Sequence, residues 1–266
     1  MTQSTQAAAA NAPAFLPLFY KAPVLLSFQE HGKSGLAQPA GFGFAREAAA
    51  VPLGTGEFMP AIRHYPIVFS DAGPATPLAV MGLKQGSNLF VEDDGAWRAG
   101  HYQPGYVRRY PFIVTEAPDQ GATLLAIDAA SERFVAQADS DAGASRLFDD
   151  TGAATPAARS AMDLCLAFHQ DHLRTAAFAA ALDEAKLLVP NRAVMQLAGG
   201  QNYTLDGFRI VDEKALRALP AETVADWHAK GWLDLITLHL ASQRNWQLLL
   251  DIHAARNTAQ AGAPRH

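Results

Sequence analysis

The chain has 266 residues, 49% hydrophobic and 18% charged, with a net charge of −5. That is the composition of a folded globular chain, long enough for one large domain or two small ones, and not of a disordered one. The acidic balance gives the whole chain no electrostatic reason to bind nucleic acid or an anionic membrane surface, and the single cysteine excludes an intramolecular disulfide and a paired-cysteine zinc site.

Residues 1–13 open a stretch, "MTQSTQAAAANAPAF", with no basic segment and no continuous apolar run. It reads as a mobile tail and not as a secretory signal. No stretch approaches the roughly 18–20 apolar residues of a membrane span. The expectation is a chain without an integral membrane segment, located in the cytoplasm.

Residues 14–154 read as β-rich. "GFGFAREA" (41–48) and "GTGEF" (54–58) resemble nucleotide loops only in their paired glycines; the third glycine and the strand-to-helix setting are missing. An internal echo follows. "RHYPIVF" (63–69) and "RRYPFIV" (108–114) each run through Tyr-Pro, three apolar residues, a hydroxyl residue, an acid and Ala. Each continues with a Pro/Gly turn, a second apolar run and an aromatic-Val pair, Phe90-Val91 or Phe134-Val135. Proline is tolerated at the start of a strand, and three consecutive apolar residues suit a strand buried on both faces. The echo predicts a duplicated hairpin unit within one β system. Pairing the copies would gather Arg63, Tyr65, Arg108, Arg109 and Tyr110 at one sheet end. Arginine forks suit carboxylate or phosphate, so these five residues are the candidate ligand-binding set. A smaller echo, "NLFVEDDGAW" (88–97) and "RLFDDTGAAT" (146–155), places acids before a Gly. That is turn chemistry, and the ligand spacing of an EF-hand is absent.

From 155 to 254 the text turns helical. Thr155 is the expected N-cap, with Pro156 at the first helical position. The run is long enough to suggest a break near Arg174-Thr175, and Pro190-Asn191 is its expected end. Cys165, in "AMDLCLAFH", reads as a small buried hydrophobe. His169 and His172 share a helix face and would need a third ligand, such as His64 or His101, to hold zinc or iron. The text does not supply one, so no metal and no cofactor is predicted. In "QNYTLDGFRIVDE" an Asp206-Gly207 hairpin turn is expected. "EKALRALP" and "PAETVADWHAKG" read as short helices, the second closed by Gly231. The run 232–252 reads as one long helix on which Trp232, His239 and Trp246 recur every seven residues. Seven steps return to nearly the same face. That stripe is either core or a docking surface for a protein partner. Residues 255–266 read as a second tail. The fold class is α+β, a β-rich part followed by a helix-rich part packed on it.

"YPIVF", "GLKQGSNLFVEDDGAW", "RRYPFIV", "LFDDTGAATP", "LDGFRIVDEKALRALP" and "HLASQRNWQLL" together resemble the SapC family of bacterial proteins, over about residues 17–252. The resemblance implies association with a surface-layer locus. It also implies, by likeness to proteins encoded near TonB-dependent receptors and halogenase-like flavoproteins, a role in nutrient uptake or modification. A permease label carried by some relatives conflicts with the absence of an apolar span. The expected function is a non-catalytic binding or accessory protein. The alternative is an enzyme on a β-rich scaffold, either metal-dependent and oxygenase-like or the partner of a flavin-dependent halogenase-like protein.

Overall fold

The computed structural model describes residues 16–38, 41–116, 123–138, 143–196 and 202–262; the expected tail at 1–13 lies outside them. In chain order the elements are β1 (Pro23–Leu25), α1 (Phe28–His31), β2 (Gly35–Ala37), β3 (Ala50–Pro52), α2 (Phe58–Ala61), β4 (Ile67–Ser70), β5 (Pro77–Val80), α3 (Gly105–Arg108), β6 (Phe112–Glu116), β7 (Thr123–Asp128), β8 (Phe134–Val135) and β9 (Ala144–Arg146). Then come α4 (Pro156–Glu184), β10 (Leu188–Gln196), β11 (Asn202–Val211), α5 (Glu213–Arg217), α6 (Ala221–Ala229), α7 (Trp232–Ser242) and α8 (Asn245–Gly262). The strands form three antiparallel sheets, ordered β10-β11-β4-β5-β3, β1-β7-β6 and β8-β2-β9. The chain is α+β, but its two parts share the largest sheet: β11, from the helix-rich part, pairs with β4.

Each Tyr-Pro segment does become an antiparallel hairpin, and a one-turn helix precedes each, α2 before β4-β5 and α3 before β6-β7. The copies do not share a sheet, which corrects the expectation of one β system. β4 is the central strand of the five-stranded sheet, with Ile67, Val68 and Phe69 all buried. β6 is an edge strand, where Phe112 is buried and Ile113 and Val114 are half-exposed. The same apolar triplet is therefore solvent-free in one copy and leaves two residues for a surface cleft in the other. The smaller echo folds alike in both copies. Val91 bridges Trp97 and Phe148 bridges Ala154. The N–H of Glu92 reaches the Ala96 carbonyl at 2.8 Å, and that of Asp149 reaches the Ala153 carbonyl at 2.9 Å. Gly95 and Gly152 supply the left-handed residue, at φ 84° and 86°.

Two apolar cores result. The larger joins the five-stranded sheet to α6, α7, α8 and the C-terminal half of α4, through Phe178, Ala179 and Leu182. The smaller joins the other two sheets to the N-terminal half of α4, through Ala158 and Cys165. Thr155 and Pro156 start α4 as expected, the Thr155 hydroxyl accepting from the Ala158 N–H. The expected break at Arg174-Thr175 does not occur. Thr175 is buried, and its hydroxyl is tied to the Asp171 carbonyl at 2.7 Å and to the Thr55 N–H at 2.8 Å. Pro190 and Asn191 belong to β10, an edge strand in which a missing N–H is harmless.

Two more expectations are corrected. Asp206-Gly207 is not a hairpin turn but a bulge inside β11, where the register shifts between Asn191 and Ala193 and Gly207 takes φ 76°. The run 232–252 is two helices, because the residues at the joint serve β4 and the segment leading into it. Ser242 accepts the Ile67 N–H at 2.9 Å, Gln243 donates to the Ile67 carbonyl at 2.7 Å, and Asn245 donates to the Ile62 and Tyr65 carbonyls at 2.6 and 2.8 Å. The second expected tail is helical through Gly262, and Arg256 holds the carbonyl of Asn88 at 3.2 Å and Glu92 at 3.0 Å.

Candidate functional site

The site is built from a glycine loop outward. A Cβ on Gly54 would lie 1.9 Å from the Asp171 Oδ2 atom, so only glycine lets this carboxylate of α4 approach. Asp171 accepts from the Gly56 N–H at 3.1 Å and from the Thr55 hydroxyl at 3.4 Å. The next residue, Glu57, is a buried carboxylate that sequence reasoning missed. It accepts from the Gly105 N–H at 2.5 Å, from the Tyr102 hydroxyl at 2.7 Å and from the Gly54 N–H at 3.3 Å. Helix α4 thus holds the loop, and the loop holds the first residue of α3.

From there α3 carries Tyr106, and its C-cap one turn after Gly105 is Arg109. Arg109 is 8% exposed. Its guanidinium carbon lies 4.2 Å from the Phe168 ring centroid, 4.5 Å from that of Tyr106 and 5.8 Å from that of Tyr20. Among the described residues no carboxylate comes within ion-pairing distance of it, and its buried Nε has no hydrogen-bond partner. Arginine cannot shed its charge in a protein. Ring faces return about 0.5–2 kcal/mol each, whereas burying an ion costs several. Burial pushes the Tyr20 and Tyr106 hydroxyls above the usual tyrosine range, and the Arg109 charge pulls both part of the way back.

Arg109 lines a cleft of about 260 Å³ with His169 and His172 from α4 and Ile113 and Val114 from β6. Neither imidazole has a hydrogen-bond partner among the described residues. Through Thr76 and His172 the cleft adjoins a groove of about 500 Å³ along α4. Two separate sequence-level candidates, the arginine of the second echo and the histidine pair, therefore meet here. Their companions Tyr106 and Phe168 were missed. The only local signals were the three-residue spacing of Tyr106 from Arg109 and the adjacency of Phe168 to His169.

The other candidates lie elsewhere. Arg63 is exposed beyond α2. Tyr65 is fully buried, and its hydroxyl, which donates to the Tyr102 carbonyl, is held above the usual range by burial. Arg108 lies over Tyr102, 3.8 Å from Glu57. Tyr110 donates to the buried Asp128 carboxylate at 3.0 Å. The five residues do not gather at one sheet end, because their hairpins belong to different sheets. His64 and His101 face each other, ring centroids 5.1 Å apart, and burial holds His64 below the usual imidazole range. Among the described residues no three His, Cys, Asp or Glu side chains are placed to share a metal ion. Cys165 is buried, and burial pushes its thiol up to about 11. Trp232 is half-buried against Phe178 and Trp227. His239 is fully buried and so lies in the core, not on a docking face. Trp246 lines a groove of about 760 Å³ beside β10 and α7.

Among the described residues no helix is long and apolar enough to cross a membrane. No curated protein and no solved structure matches the chain. A family model described as SapC matches residues 26–249, most of the length, and the chain belongs to the SapC family.

Proposed function

We propose that the chain is a non-catalytic binding protein, a cytoplasmic accessory of a bacterial nutrient-uptake or surface-layer-associated system, and that the Arg109 cleft is its ligand site. The observation that carries this reading is the buried guanidinium, open to a cleft and without a carboxylate among the described residues. Buried charges in proteins are paired, and a cation left unpaired beside a cleft is completed by an anion from outside. Charge-assisted hydrogen bonds to a charged group contribute about 1.5–3 kcal/mol each, enough to make occupancy favourable. The accessory role and the link to uptake rest on what SapC resemblance implies.

The test is Arg109→Met, which keeps an apolar stem and removes the charge. Anion binding followed by calorimetry at fixed ionic strength should disappear. Stability in urea should stay within about 1 kcal/mol or rise, since the variant deletes an uncompensated buried charge. A large loss of stability would mean that Arg109 has an internal partner and is a structural residue.

A further inference from the structure

We propose that the ligand of the Arg109 cleft is a small amphipathic monocarboxylate, an acid with an apolar aromatic or branched body; the proposal rests on reading this cleft as the ligand site. The chemistry of the lining selects the class. Arg109 is its one arginine, and among the described residues the lining contains no lysine and no acid. A phosphate dianion is held by several donors and more than one cation, as in phosphate-binding loops that add backbone N–H groups to a lysine or arginine. Here, apart from Thr76, His169 and His172, the rest of the wall is apolar: the Phe168 and Tyr106 rings, the Ile113 and Val114 side chains of the edge strand, and Pro17 and Pro52. One planar guanidinium matches one planar carboxylate, and the surrounding apolar wall matches the ligand body.

Size narrows the class further. A volume of about 260 Å³ falls below the roughly 300 Å³ at which pockets for drug-sized ligands begin. The imidazoles of His169 and His172 stand on the α4 side of the cleft without hydrogen-bond partners among the described residues. They are free to donate to a carboxylate oxygen that Arg109 leaves unbonded. The aromatic rings that flank the guanidinium continue as the surface on which a ligand ring or branched chain packs.

The experiment is a binding series on the full chain with three probes: phenylacetate, its neutral analogue phenylacetamide, and inorganic phosphate. Phenylacetate is expected to bind at least about tenfold more tightly than either of the others, and Arg109→Lys, which keeps the charge but loses the fork, should weaken it at least about tenfold. His172→Ala, at an exposed position, should weaken it by a smaller factor. Phosphate binding without phenylacetate binding would overturn the ligand class and leave the anion site standing. Equal binding of phenylacetate and phenylacetamide would overturn the role of the carboxylate. Binding of none of the three would overturn both the class and the assignment of the cleft.

Discussion

His239 gives the sharpest quantitative expectation. In the five-stranded sheet β11 pairs with β4 only at Phe208↔Ser70 and Arg209↔Phe69. Continuing that register sets Val211 opposite Ile67, and there the His239 imidazole stands between the strands. Its Nδ1 donates to the Ile67 carbonyl at 2.8 Å, and its Nε2 accepts from the Val211 N–H at 3.1 Å. The two partners fix one neutral tautomer. Protonation would set a second N–H against the Val211 N–H inside a fully buried site. Burial accordingly lowers the pKa to about 4, the Ile67 bond opposing the shift. The folded pKa is depressed below the unfolded value of about 6.5, so the unfolded chain takes up this proton first as pH falls. The contribution is complete above about pH 6.5 and is lost between there and about pH 4, to a total of about 3 kcal/mol. His239→Leu removes the titration. It orphans the Val211 N–H at a cost of about 1–3 kcal/mol, while the Ile67 carbonyl keeps Gln243 at 2.7 Å. Urea denaturation of both proteins at pH 7.5 and pH 4.5 is the assay. The wild type should be the more stable at pH 7.5, and the gap should shrink by about 2–3 kcal/mol or invert at pH 4.5. His64 and His253, also held below the usual imidazole range by burial, titrate in both proteins and cancel in the difference. Equal losses in the two proteins would refute the argument.

Two further outcomes are expected. Glu57→Gln replaces a carboxylate surrounded by donors with an amide that brings its own N–H groups; it should cost about 2–3 kcal/mol in urea and weaken ligand binding, because Gly105 starts the helix that carries Arg109. Trp246→Ala removes a half-buried ring that packs on Phe208 at 5.7 Å and bonds Gln243 at 3.1 Å. It should cost about 2 kcal/mol, below the roughly 3–5 typical of a fully buried tryptophan; unchanged stability with loss of a co-purifying partner would instead make this groove a docking surface.

Local signals were legible where local chemistry decides. The apolar triplet after Tyr65-Pro66 named a strand buried on both faces, and Thr155-Pro156 named a helix start. The acid-Gly echo named two turns, which share one hydrogen-bond pattern. Signals failed where a distant partner overrides them. Asp206-Gly207 carries hairpin chemistry, yet strand pairing runs through it and leaves a bulge. Nothing in "HLASQRNW" shows that Ser242, Gln243 and Asn245 abandon helical continuity to satisfy the backbone of β4 and of the segment leading into it, some 175–183 residues away. Arg109, His169 and His172 were all on view as candidates, but in separate sets. What joins them is the chain of contacts from Asp171 to Gly56 and from Glu57 to Gly105, which spans sequence separations of 115 and 48 residues.

The place of the cleft follows from the same architecture. Helix α4 is long enough to serve two cores, Cys165 facing the smaller and Phe178 the larger. Between these two residues the helix passes from one apolar cluster to the other, and there it carries Phe168, His169 and His172. Edge strand β6 contributes Ile113 and Val114 to the same gap because no further strand covers it among the described residues. The opposite side is closed by α3, which brings Arg109, a cation with no carboxylate partner among the described residues. Such junctions between packed bodies are where ligand sites occur, since a polar group there can keep access to an incoming partner without opening either core. An anion seated on Arg109 would touch α3, α4 and β6 together. Ligand binding and the mutual packing of the two cores would then be thermodynamically linked. Saturating ligand should raise the unfolding free energy as RT ln(1 + [L]/Kd), about 2.7 kcal/mol at one hundred times Kd. Amides of β6 and of the Phe168–His172 turn of α4 should gain hydrogen-exchange protection, while those of α6, remote from the cleft, should gain only what global stabilisation confers. Protection confined to β10 and α7 would place the ligand at the Trp246 groove instead.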